Sequence, residues 1–445
     1  MQVCPLDFRY GREVMKQIFD ENNRLQMMLD VEAAIARAHA KAGNIMQDDA
    51  EIIASKAKND IVHLARVHEI EKETNHDIMA MVRALTEQCG KSGDYVHLGA
   101  TSNDIVDTVT ALQMKRAIAV IEDDLLLLEN TLADLAERYR STVMVGRTHG
   151  QFAIPLTFGM KMAVYALETQ RHLDRLREIT PRVCVGKLSG AVGTGAALGE
   201  HAKTIQESVM EQLGLGVEEA SLQLVGRDRY VEFIGLMNNI ACSLEKFGVE
   251  IRNLQRSEIA EVAEAFDEAK QVGSSTMAHK RNPITCENVC GLARVIHGFA
   301  IPTYENVPLW HERDLTNSAA ERFTIGHTCI LIDDMLVKMS GVFANLAVFP
   351  ENMQKNLDAT KGLIMAEAVM IALVGKDVGR QDAHEFMRRL SMKAMENNTS
   401  LEEEISGDEH ISGLFTPEEL DALMDPKNYI GRAEEIVDTV LQIIR

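Results

Sequence analysis

Residues 101–139 read TSNDIVDTVTALQMKRAIAVIEDDLLLLENTLADLAERY and contain neither glycine nor proline. Apolar side chains recur in this stretch at intervals of three and four residues, which is the heptad spacing of one helix face. The pattern predicts a helix of about 37 residues, roughly 55 Å long, which is more than one compact domain needs. The apolar positions are Ala111, Met114, Ile118, Ile121, Leu125, Leu128, Leu132, Leu135 and Tyr139.

A second stretch repeats this spacing. No proline lies between Pro5 and Pro155 or between Pro181 and Pro283, so long segments lack the strongest helix breaker. Long helices with narrow apolar stripes predict an all-α protein with a central long-helix bundle that subunits share. We expect an N-terminal helical domain (1–100), the bundle (101–350) and a C-terminal helical domain (351–445). The second apolar stripe consists of Tyr230, Ile234, Met237, Ala241, Leu244, Gly248 and Ile251.

The composition argues against several classes of function. The 445 residues include 46 Lys and Arg against 67 Asp and Glu, which gives a formal net charge of −21. A surface with this charge repels nucleic acids and anionic membranes, so neither is an expected partner. Charged residues interrupt the opening stretch before an apolar run of signal-peptide length forms, and the seven cysteines include no CxxC pair. These features predict a cytoplasmic protein with reduced thiols.

Two polar clusters precede predicted helices. In the first, Thr74-Asn75-His76-Asp77, either Thr74 or Asn75 caps a helix and leaves His76 in its first turn, or the cluster belongs to a functional site. In the second, residues 98–108 (LGATSNDIVDT), hydroxyl groups stand at the start of the long helix. Helix N-termini bind anions, but a plain N-cap accounts for the same residues.

The third cluster is GRTHGQ, residues 146–151, which sets His149 between glycines in a predicted loop. An imidazole in such a loop can act as a general acid or base near neutral pH. The alternative is a surface histidine without a catalytic role.

The fourth cluster is QVGSSTMAHKRNP, residues 271–283. Lys280 and Arg281 supply positive charge, and Asn282-Pro283 predicts an N-cap followed by the first residue of a new helix. A cationic loop that bears hydroxyl groups and leads into a helix N-terminus suits a di-anionic ligand. The alternative is a solvated basic turn.

The fifth cluster is HERDLTNSAAER, residues 311–322, in which Arg313 and Arg322 flank Ser318. Arginine can bind a carboxylate or a phosphate through two parallel hydrogen bonds, so a strongly acidic protein can still hold an anionic substrate here. The alternative is a salt-bridged helix face.

Two further patterns have competing explanations. The glycine-rich stretch 183–199 (VCVGKLSGAVGTGAALG) predicts a loop or short hairpin, and its glycines could cradle a phosphate, although no Walker or Rossmann fingerprint is present. The spacings of His279, Cys286, Cys290 and His297 suit zinc, but packing explains the two cysteines equally well. The sequence also lacks GxSxG, GxGxxG and HExxH motifs, which argues against the common hydrolase, Rossmann and metalloprotease mechanisms.

Taken together, LGATSNDIVDT, GRTHGQ and GSSTMAHKRNP resemble the three signature regions of the fumarase/aspartase superfamily. Within it, the chain resembles the adenylosuccinate lyase family. The element around His76, the HKRNP ending of the loop, the HERDLTNSAAER stretch and the C-terminal GLIMAEAVMIALV and MDPKNYIGRAEEIVDTVL carry this resemblance, which extends from Arg9-Tyr10 to the last predicted helix.

The resemblance implies a fumarase/aspartase-like fold, a homotetrameric helical core, and active sites that each combine residues of three subunits. It implies β-elimination of fumarate from adenylosuccinate, giving AMP, and from the related succinyl-carboxamide ribotide of purine synthesis. The substrate is a small anionic nucleotide, and the reaction needs no cofactor and no metal.

The resemblance also assigns roles to individual residues. Ser274, the first serine of the pair with Ser275, is the general base, and His149 is the general acid, oriented by Glu287. Succinyl carboxylates are bound by Lys280, Asn282, Thr101 and Ser102. The nucleotide and its phosphate are bound by Arg9, Tyr10, His76, Arg313, Ser318 and Arg322. Asn75 and Asp77 are further substrate-binding residues, and Thr148 and Gln223 complete the pocket.

One residue departs from the family pattern, because Ala278 stands where the loop usually has proline. Alanine leaves the backbone freer than proline does, so we expect a more mobile empty loop and a larger ordering cost on closure. An Ala278→Pro variant with unchanged turnover and unchanged loop mobility would contradict this expectation.

Other functions remain open at the level of sequence. Fumarase, aspartase and argininosuccinate lyase differ from this chain in the loop ending, whereas carboxymuconate cycloisomerase shares HKRNP. His76 and the HERDLTNSAAER stretch favour the adenylosuccinate enzyme over that relative. A catalytically silent helical scaffold predicts decay of the polar loops, yet Ser274, His149, Lys280 and Asn282 are all present. The remaining alternative is a zinc-binding helical module.

Overall fold

The computed structural model describes residues 3–265, Met277 and residues 280–445. Within these residues the chain forms eighteen α-helices, five short 3-10 helices and six strands. Helix dominates, which confirms the predicted all-α class. No helix in this part of the chain combines the length and the apolar character needed to cross a membrane.

The helices are numbered in chain order. They are α1 (Pro5–Phe8), α2 (Glu13–Phe19), α3 (Glu21–Lys41), α4 (Gln47–Lys56), α5 (Leu64–Thr74), α6 (Asp77–Cys89), α7 (Ser102–Arg138), α8 (Phe158–Val183), α9 (Ala202–Leu213), α10 (Asp228–Leu254), α11 (Ile284–Glu305), α12 (Thr316–Ala344), α13 (Pro350–Asp358), α14 (Ala366–Gly375), α15 (Arg380–Asn397), α16 (Leu401–Ser406), α17 (Pro417–Met424) and α18 (Ala433–Ile444). The 3-10 helices are Gly90–Tyr95, Ala196–His201, Leu363–Met365, Ser412–Leu414 and Pro426–Tyr429.

The strands form three two-stranded sheets. Strands β1 (Val143–Thr148) and β2 (Gln151–Thr157) pair in antiparallel orientation, β3 (Val185–Gly186) and β4 (Gly216–Val217) in parallel, and β5 (Val262–Ala263) and β6 (Ala347–Val348) in antiparallel orientation.

Helix α7 confirms the prediction made from its apolar seam. It contains 37 residues. All the seam positions within the helix are buried, and Tyr139, which directly follows it, is half-buried. Every position of the second seam is buried in α10. The 3.6-residue periodicity therefore identified the buried faces of both helices correctly.

The chain divides into two compact units, each built from three segments. The first unit comprises the residues up to Leu125, Arg171–Glu245 and Cys290–Val337, and the second comprises Leu126–Gln170, Lys246–Val289 and Lys338–Arg445. Helices α7 and α13 begin at Ser102 and Pro350, close to two boundaries expected from the sequence. The three sequential domains 1–100, 101–350 and 351–445 remain a prediction.

In the first unit, helix α3 packs against α4 and α9, and α5 packs against α6. Asp20 caps α3 by accepting hydrogen bonds from the backbone of Asn22 and Asn23, which satisfies two otherwise unpaired N–H groups. In the second unit, strand β1 packs against α13, and Val145 joins Leu357 and Met365 in a buried apolar cluster. The hairpin of β1 and β2 thus rests on a packed core.

The glycine-rich stretch was predicted to be a loop or a short hairpin; residues 187–195 form a loop and not a hairpin. Strand β3 pairs in parallel with β4, which follows some thirty residues later in the chain. A Cβ atom on Gly186 would lie 2.5 Å from the sulfur of Met210 and 3.0 Å from the side chain of Thr108, so a larger residue at this point of β3 would require these side chains to move. The structure also argues against the alternative that this stretch binds a phosphate. The backbone N–H groups of Ser189 and Gly190 already donate to the carboxylate of Asp104.

Candidate active site

A cleft of about 1790 Å³ opens in the first unit. It is lined by helix ends and by α12, so that side chains distant in sequence face one space. Nine of the predicted site residues line it: Asn75, His76, Asp77, Thr101, Ser102, Gln223, Arg313, Ser318 and Arg322.

The junction between α5 and α6 carries Asn75, His76 and Asp77. Asn75 ends α5 in the left-handed conformation, with φ of 51°. His76 is the N-cap of α6, because its Nδ1 accepts a hydrogen bond from the backbone of Met79 at 3.3 Å. The expectation that Thr74 or Asn75 caps this helix is therefore wrong. Because this hydrogen bond uses Nδ1, the other ring nitrogen of His76, Nε2, is available on the cleft side, where it lies 3.5 Å from the hydroxyl of Ser102.

The N-terminus of α7 is held by Asp104. Its Oδ2 accepts hydrogen bonds from the backbone of Thr101 at 2.8 Å and of Gly190 at 3.1 Å, and its Oδ1 accepts from Ser189 at 3.0 Å and from the ammonium of Lys187. Asp104 and Lys187 are both fully buried. A buried ion pair with further hydrogen bonds fixes the backbone on which Thr101 and Ser102 face the cleft.

The two predicted arginines differ in their surroundings. Arg322 is largely exposed and lies 3.4 Å from Asp77. Arg313 is half-buried and donates a hydrogen bond to the amide oxygen of Asn103. Burial lowers the pKa of Arg313 from its usual value. Ser318 lies in the first turn of α12, between the two arginines in the chain.

Sequence reasoning missed several residues that line the cleft. Arg24 lines the cleft from the first turn of α3. Burial lowers the pKa of its guanidinium, and the nearby charge of Arg322 lowers that pKa further, whereas the carboxylate of Asp77 opposes both effects. Lys16, Glu321 and His327 also line the cleft. These residues occur in helices among acidic residues, and no motif distinguishes them from an ordinary charged helix face. The sequence pattern therefore did not identify them as site residues.

Arg9 and Tyr10 directly follow α1, where both backbone N–H groups bond to the carbonyl of Pro5. Arg9 is exposed and Tyr10 is half-buried. Within the described part of the first unit, these two residues are not among those that line the cleft, although Cys4 and Asp7 of the same segment are. Their role in binding remains a prediction.

Thr148 and His149 belong to the second unit, at the turn of the hairpin. The loop is shorter than the predicted 146–151: β1 extends to Thr148, β2 begins at Gln151, and only His149 and Gly150 form the turn. Both turn residues have positive φ, 54° and 76°, as a two-residue type I′ turn requires. The side chain of His149 is exposed.

The N-terminus of α11, also in the second unit, carries Lys280, Asn282 and Glu287. Helix α11 begins at Ile284, so its N-cap position is Pro283, and Asn282 lies one residue before the N-cap position predicted for it. The carboxylate of Glu264 accepts hydrogen bonds from the backbone of Cys286 at 2.7 Å and of Thr285 at 3.1 Å. These two backbone donors are therefore bonded to a protein carboxylate, and anion binding by Lys280 and Asn282 remains a prediction. Lys280 is exposed.

Ser274, Ser275, Ala278 and His279 lie outside the described residues, so their predicted roles are not placed. Of the proposed zinc ligands, Cys286 and Cys290 are buried, and Nδ1 of His297 lies 3.0 Å from the amide oxygen of Asn238. Among the described side chains there is no group of three or more potential ligands arranged to hold a metal ion.

Two family models match the chain. The model described as Lyase matches residues 8–298, and the model described as Adenylosuccinate lyase C-terminus matches residues 362–440. The sequence is 52% identical over 444 residues to the adenylosuccinate lyase of Pyrococcus horikoshii, with 100% of this chain and 98% of the relative covered. It is 50% identical over 446 residues to that of Methanocaldococcus jannaschii, with 100% and 96% covered.

Solved structures give the same fold. A fumarate lyase from Mesorhizobium sp. BNC1 superimposes with a TM-score of 0.90 at 32% identity, covering 97% of this chain and 98% of that one. The 3-carboxy-cis,cis-muconate lactonizing enzyme of Pseudomonas putida superimposes with a TM-score of 0.90 at 34% identity, covering 99% and 98%. Both similarities extend over nearly the whole fold.

Proposed function

Because the chain belongs to the adenylosuccinate lyase family of the fumarase/aspartase superfamily, we propose that it eliminates fumarate from adenylosuccinate to give AMP, and from the succinyl-carboxamide ribotide in the same way. The enzyme is a carbon–nitrogen lyase of purine biosynthesis. We further propose that it acts in the cytoplasm, without cofactor or metal and without a nucleic-acid partner.

The observation that carries this proposal is the composition of the cleft. Arg313 and Arg322 face it together with the hydroxyl groups of Thr101, Ser102 and Ser318. Guanidinium groups bind phosphate and carboxylate through charge-assisted hydrogen bonds, and hydroxyl groups add neutral donors. Such a wall suits a ligand that carries several anionic groups, as adenylosuccinate does.

In the proposed reaction, Ser274 removes a proton from the carbon next to a succinyl carboxylate, and the released electron pair forms the double bond of fumarate. The carbon–nitrogen bond breaks, and His149 protonates the departing nitrogen. Lys280, Asn282, Thr101 and Ser102 bind the carboxylates and stabilise the negative charge that develops there. Glu287 orients His149, while Asn75, His76, Asp77, Arg9 and Tyr10 hold the nucleotide, and Thr148 and Gln223 complete the pocket.

We also propose a homotetramer whose active sites combine residues of three subunits. Apolar side chains on the long helices support it: Val295, Ile301 and Tyr304 of α11 are 48%, 64% and 59% exposed, and Phe323 of α12 is 59% exposed. Further copies of the chain would cover such side chains. Light scattering should give about four times the 49.4 kDa chain mass; a monomer would contradict the proposal.

A substrate panel tests the proposed function. The purified chain is given adenylosuccinate, argininosuccinate and 3-carboxy-cis,cis-muconate in turn, and kcat/KM is measured for each. We expect turnover of adenylosuccinate, with AMP and fumarate released in equal amounts. Preference for either of the other substrates would move the function to a relative within the superfamily, and no turnover of any of them would favour a scaffold.

A further inference from the structure

Arg313 and Glu321 line the same cleft. Burial lowers the pKa of Arg313, and the nearby carboxylates of Asp107 and, to a smaller extent, Glu321 oppose that shift. An arginine and a carboxylate in such proximity commonly form a bidentate ion pair. Within the part of the chain that the structure describes, however, Arg313 forms no ion pair, and Glu321 pairs instead with Arg227. The arrangement of these three side chains therefore needs an explanation.

Arg227 holds Glu321 through two hydrogen bonds. Its Nε donates to one carboxylate oxygen at 2.8 Å, and a terminal nitrogen donates to the other at 3.1 Å. Asn317 donates a third hydrogen bond to this carboxylate at 2.9 Å. Both oxygens of Glu321 thus accept hydrogen bonds from donors other than Arg313.

The remaining donors of Arg227 are directed at Asp107 and at the backbone. The two terminal nitrogens donate to the Asp107 carboxylate at 2.9 and 3.0 Å, and one of them also donates to the carbonyl of Val225 at 2.8 Å. The guanidinium lies 4.8 Å from the ring centre of Tyr230, and the side chain is only 2% exposed. Arg227 is therefore fixed behind the cleft wall and does not itself reach a ligand.

Asp107 in turn orients the neutral partner of Arg313. The amide nitrogen of Asn103 donates to Asp107 at 3.2 Å, so the amide oxygen of Asn103 points the other way and accepts from Arg313. A neutral oxygen positions the guanidinium without cancelling its charge. Arg313 keeps its full positive charge on the cleft wall.

We infer that Arg227 is a positioning residue that draws Glu321 away from Arg313 and thereby keeps Arg313 available for an anionic group of the substrate. The inference rests on the proposed function for the identity of that substrate. Arg227 contributes to affinity through two other side chains, and its removal affects binding through the release of Glu321.

A double-mutant cycle tests the inference. Arg227→Lys, Glu321→Gln and the combined variant are compared with the unchanged chain by calorimetric binding of AMP and by KM and kcat for adenylosuccinate. Arg227→Lys should raise Kd and KM about tenfold, since a charge-assisted contact of Arg313 is lost to Glu321, while kcat changes less. Adding Glu321→Gln should restore most of the affinity, and Glu321→Gln alone should lower Kd.

The control is Arg229→Lys. Arg229 is close to Arg227 in the chain but pairs with Glu218 at 2.8 Å, and it is not among the described residues that line the cleft. This variant should keep the Kd and KM of the unchanged chain. A purely structural role for Arg227 predicts that the double variant stays as impaired as Arg227→Lys, and that result would overturn the inference.

A second pair of variants covers the case in which Arg227→Lys does not fold. Asn317→Ala removes a donor to Glu321 without leaving a buried charge unpaired, so it should weaken AMP binding in the same direction, and Glu321→Gln should again reverse the effect. An effect of Asn317→Ala that Glu321→Gln leaves unchanged overturns the inference. If the chain turns over adenylosuccinate but Glu321→Gln does not restore AMP affinity, the result contradicts the inference about Arg227 and leaves the proposed function intact. If Glu321→Gln restores AMP affinity but the chain turns over no adenylosuccinate, the result contradicts only the proposed reaction.

Discussion

Arg147 donates two parallel hydrogen bonds to the carboxylate of Glu261, at 2.9 and 2.8 Å. Glu261 is fully buried, and Asn356 donates to the same carboxylate at 2.8 Å. Arg147 lies in strand β1 directly before Thr148, which ends the strand, and His149 follows as the first residue of the turn. This ion pair therefore fixes the strand that presents the proposed general acid.

Glu261→Gln tests this role of the pair. Glutamine keeps the shape but loses the charge, and the expected loss for a hydrogen bond to a charged group is about 1.5–3 kcal/mol of stability. A displaced His149 should lower kcat about tenfold or more, with a smaller change in KM. The measurement combines the melting temperature with steady-state kinetics.

Glu258→Gln is the matched control, because Glu258 is largely exposed and pairs only with the exposed Arg256 among the described residues. It should behave like the unchanged chain. If Glu261→Gln lowered the melting temperature without any change in kcat, the pair would be a structural element only.

Arg24 should contribute to binding although no motif identified it. It lines the cleft near Asp77 and Arg322, so Arg24→Met removes a positive charge from the neighbourhood of the substrate. We expect KM for adenylosuccinate to rise about tenfold, the effect of losing one charge-assisted contact. Arg37→Met on the same helix, where the arginine is 47% exposed and faces Glu51, serves as the control; equal KM values in the two variants would disprove the role of Arg24.

The pH dependence of stability should reveal Asp124. Burial and the neighbouring Asp333 raise the pKa of Asp124 to about 7, although Arg12 opposes the shift, whereas the unfolded carboxyl has its ordinary value of 3.8. Between these two pH values the folded chain holds a proton that the unfolded chain has released, so this residue's contribution to stability falls as pH rises through the window.

Asp124→Asn should remove that contribution. The difference in melting temperature between pH 5 and pH 8 is compared for the unchanged chain, Asp124→Asn and the exposed neighbour variant Asp123→Asn. We expect the change in melting temperature from pH 5 to pH 8 to be less unfavourable in Asp124→Asn than in the unchanged chain, and Asp123→Asn to behave like the unchanged chain. Parallel curves for all three proteins would contradict the assignment.

Asp104→Asn should be strongly destabilising, because it leaves the fully buried ammonium of Lys187 without its counter-charge. Breaking one side of a buried pair costs about 3–5 kcal/mol. Denaturant unfolding measures the loss. The combined variant Asp104→Asn/Lys187→Met should recover part of it, and a double variant less stable than Asp104→Asn would argue against uncompensated charge as the cause.

The sequence predicted those features that depend on local periodicity. The seam from Ala111 to Leu135 defines α7 because buried positions recur with the helix period. The hairpin around His149 was missed, since its turn is His149-Gly150 rather than the common Asn-Gly and the strands carry no strict alternation. Local signals favoured a loop there.

Long-range contacts lay beyond the sequence for a different reason. Glu264 accepts a hydrogen bond from the first turn of α11 although it lies about twenty residues earlier in the sequence. Asp104 accepts a hydrogen bond from the backbone of the glycine-rich stretch although more than eighty residues separate them in the sequence. The sequence shows the backbone donors of a helix end or a glycine-rich loop but not the distant carboxylate that bonds to them, so neither contact could be predicted. Nine of the predicted site residues line one cleft because their motifs stand at or near helix ends; their roles in binding remain predictions.

Turnover of adenylosuccinate by the unchanged chain, with Ser274→Ala and His149→Ala measured beside it, tests the central claim most directly. Loss of a general base or acid lowers the rate by about 10²–10⁴-fold. The account predicts conversion to AMP and fumarate by the unchanged chain and a loss of this size in each variant, with adenylosuccinate still bound. An active Ser274→Ala or His149→Ala variant, or an unchanged chain that releases no fumarate, would contradict it.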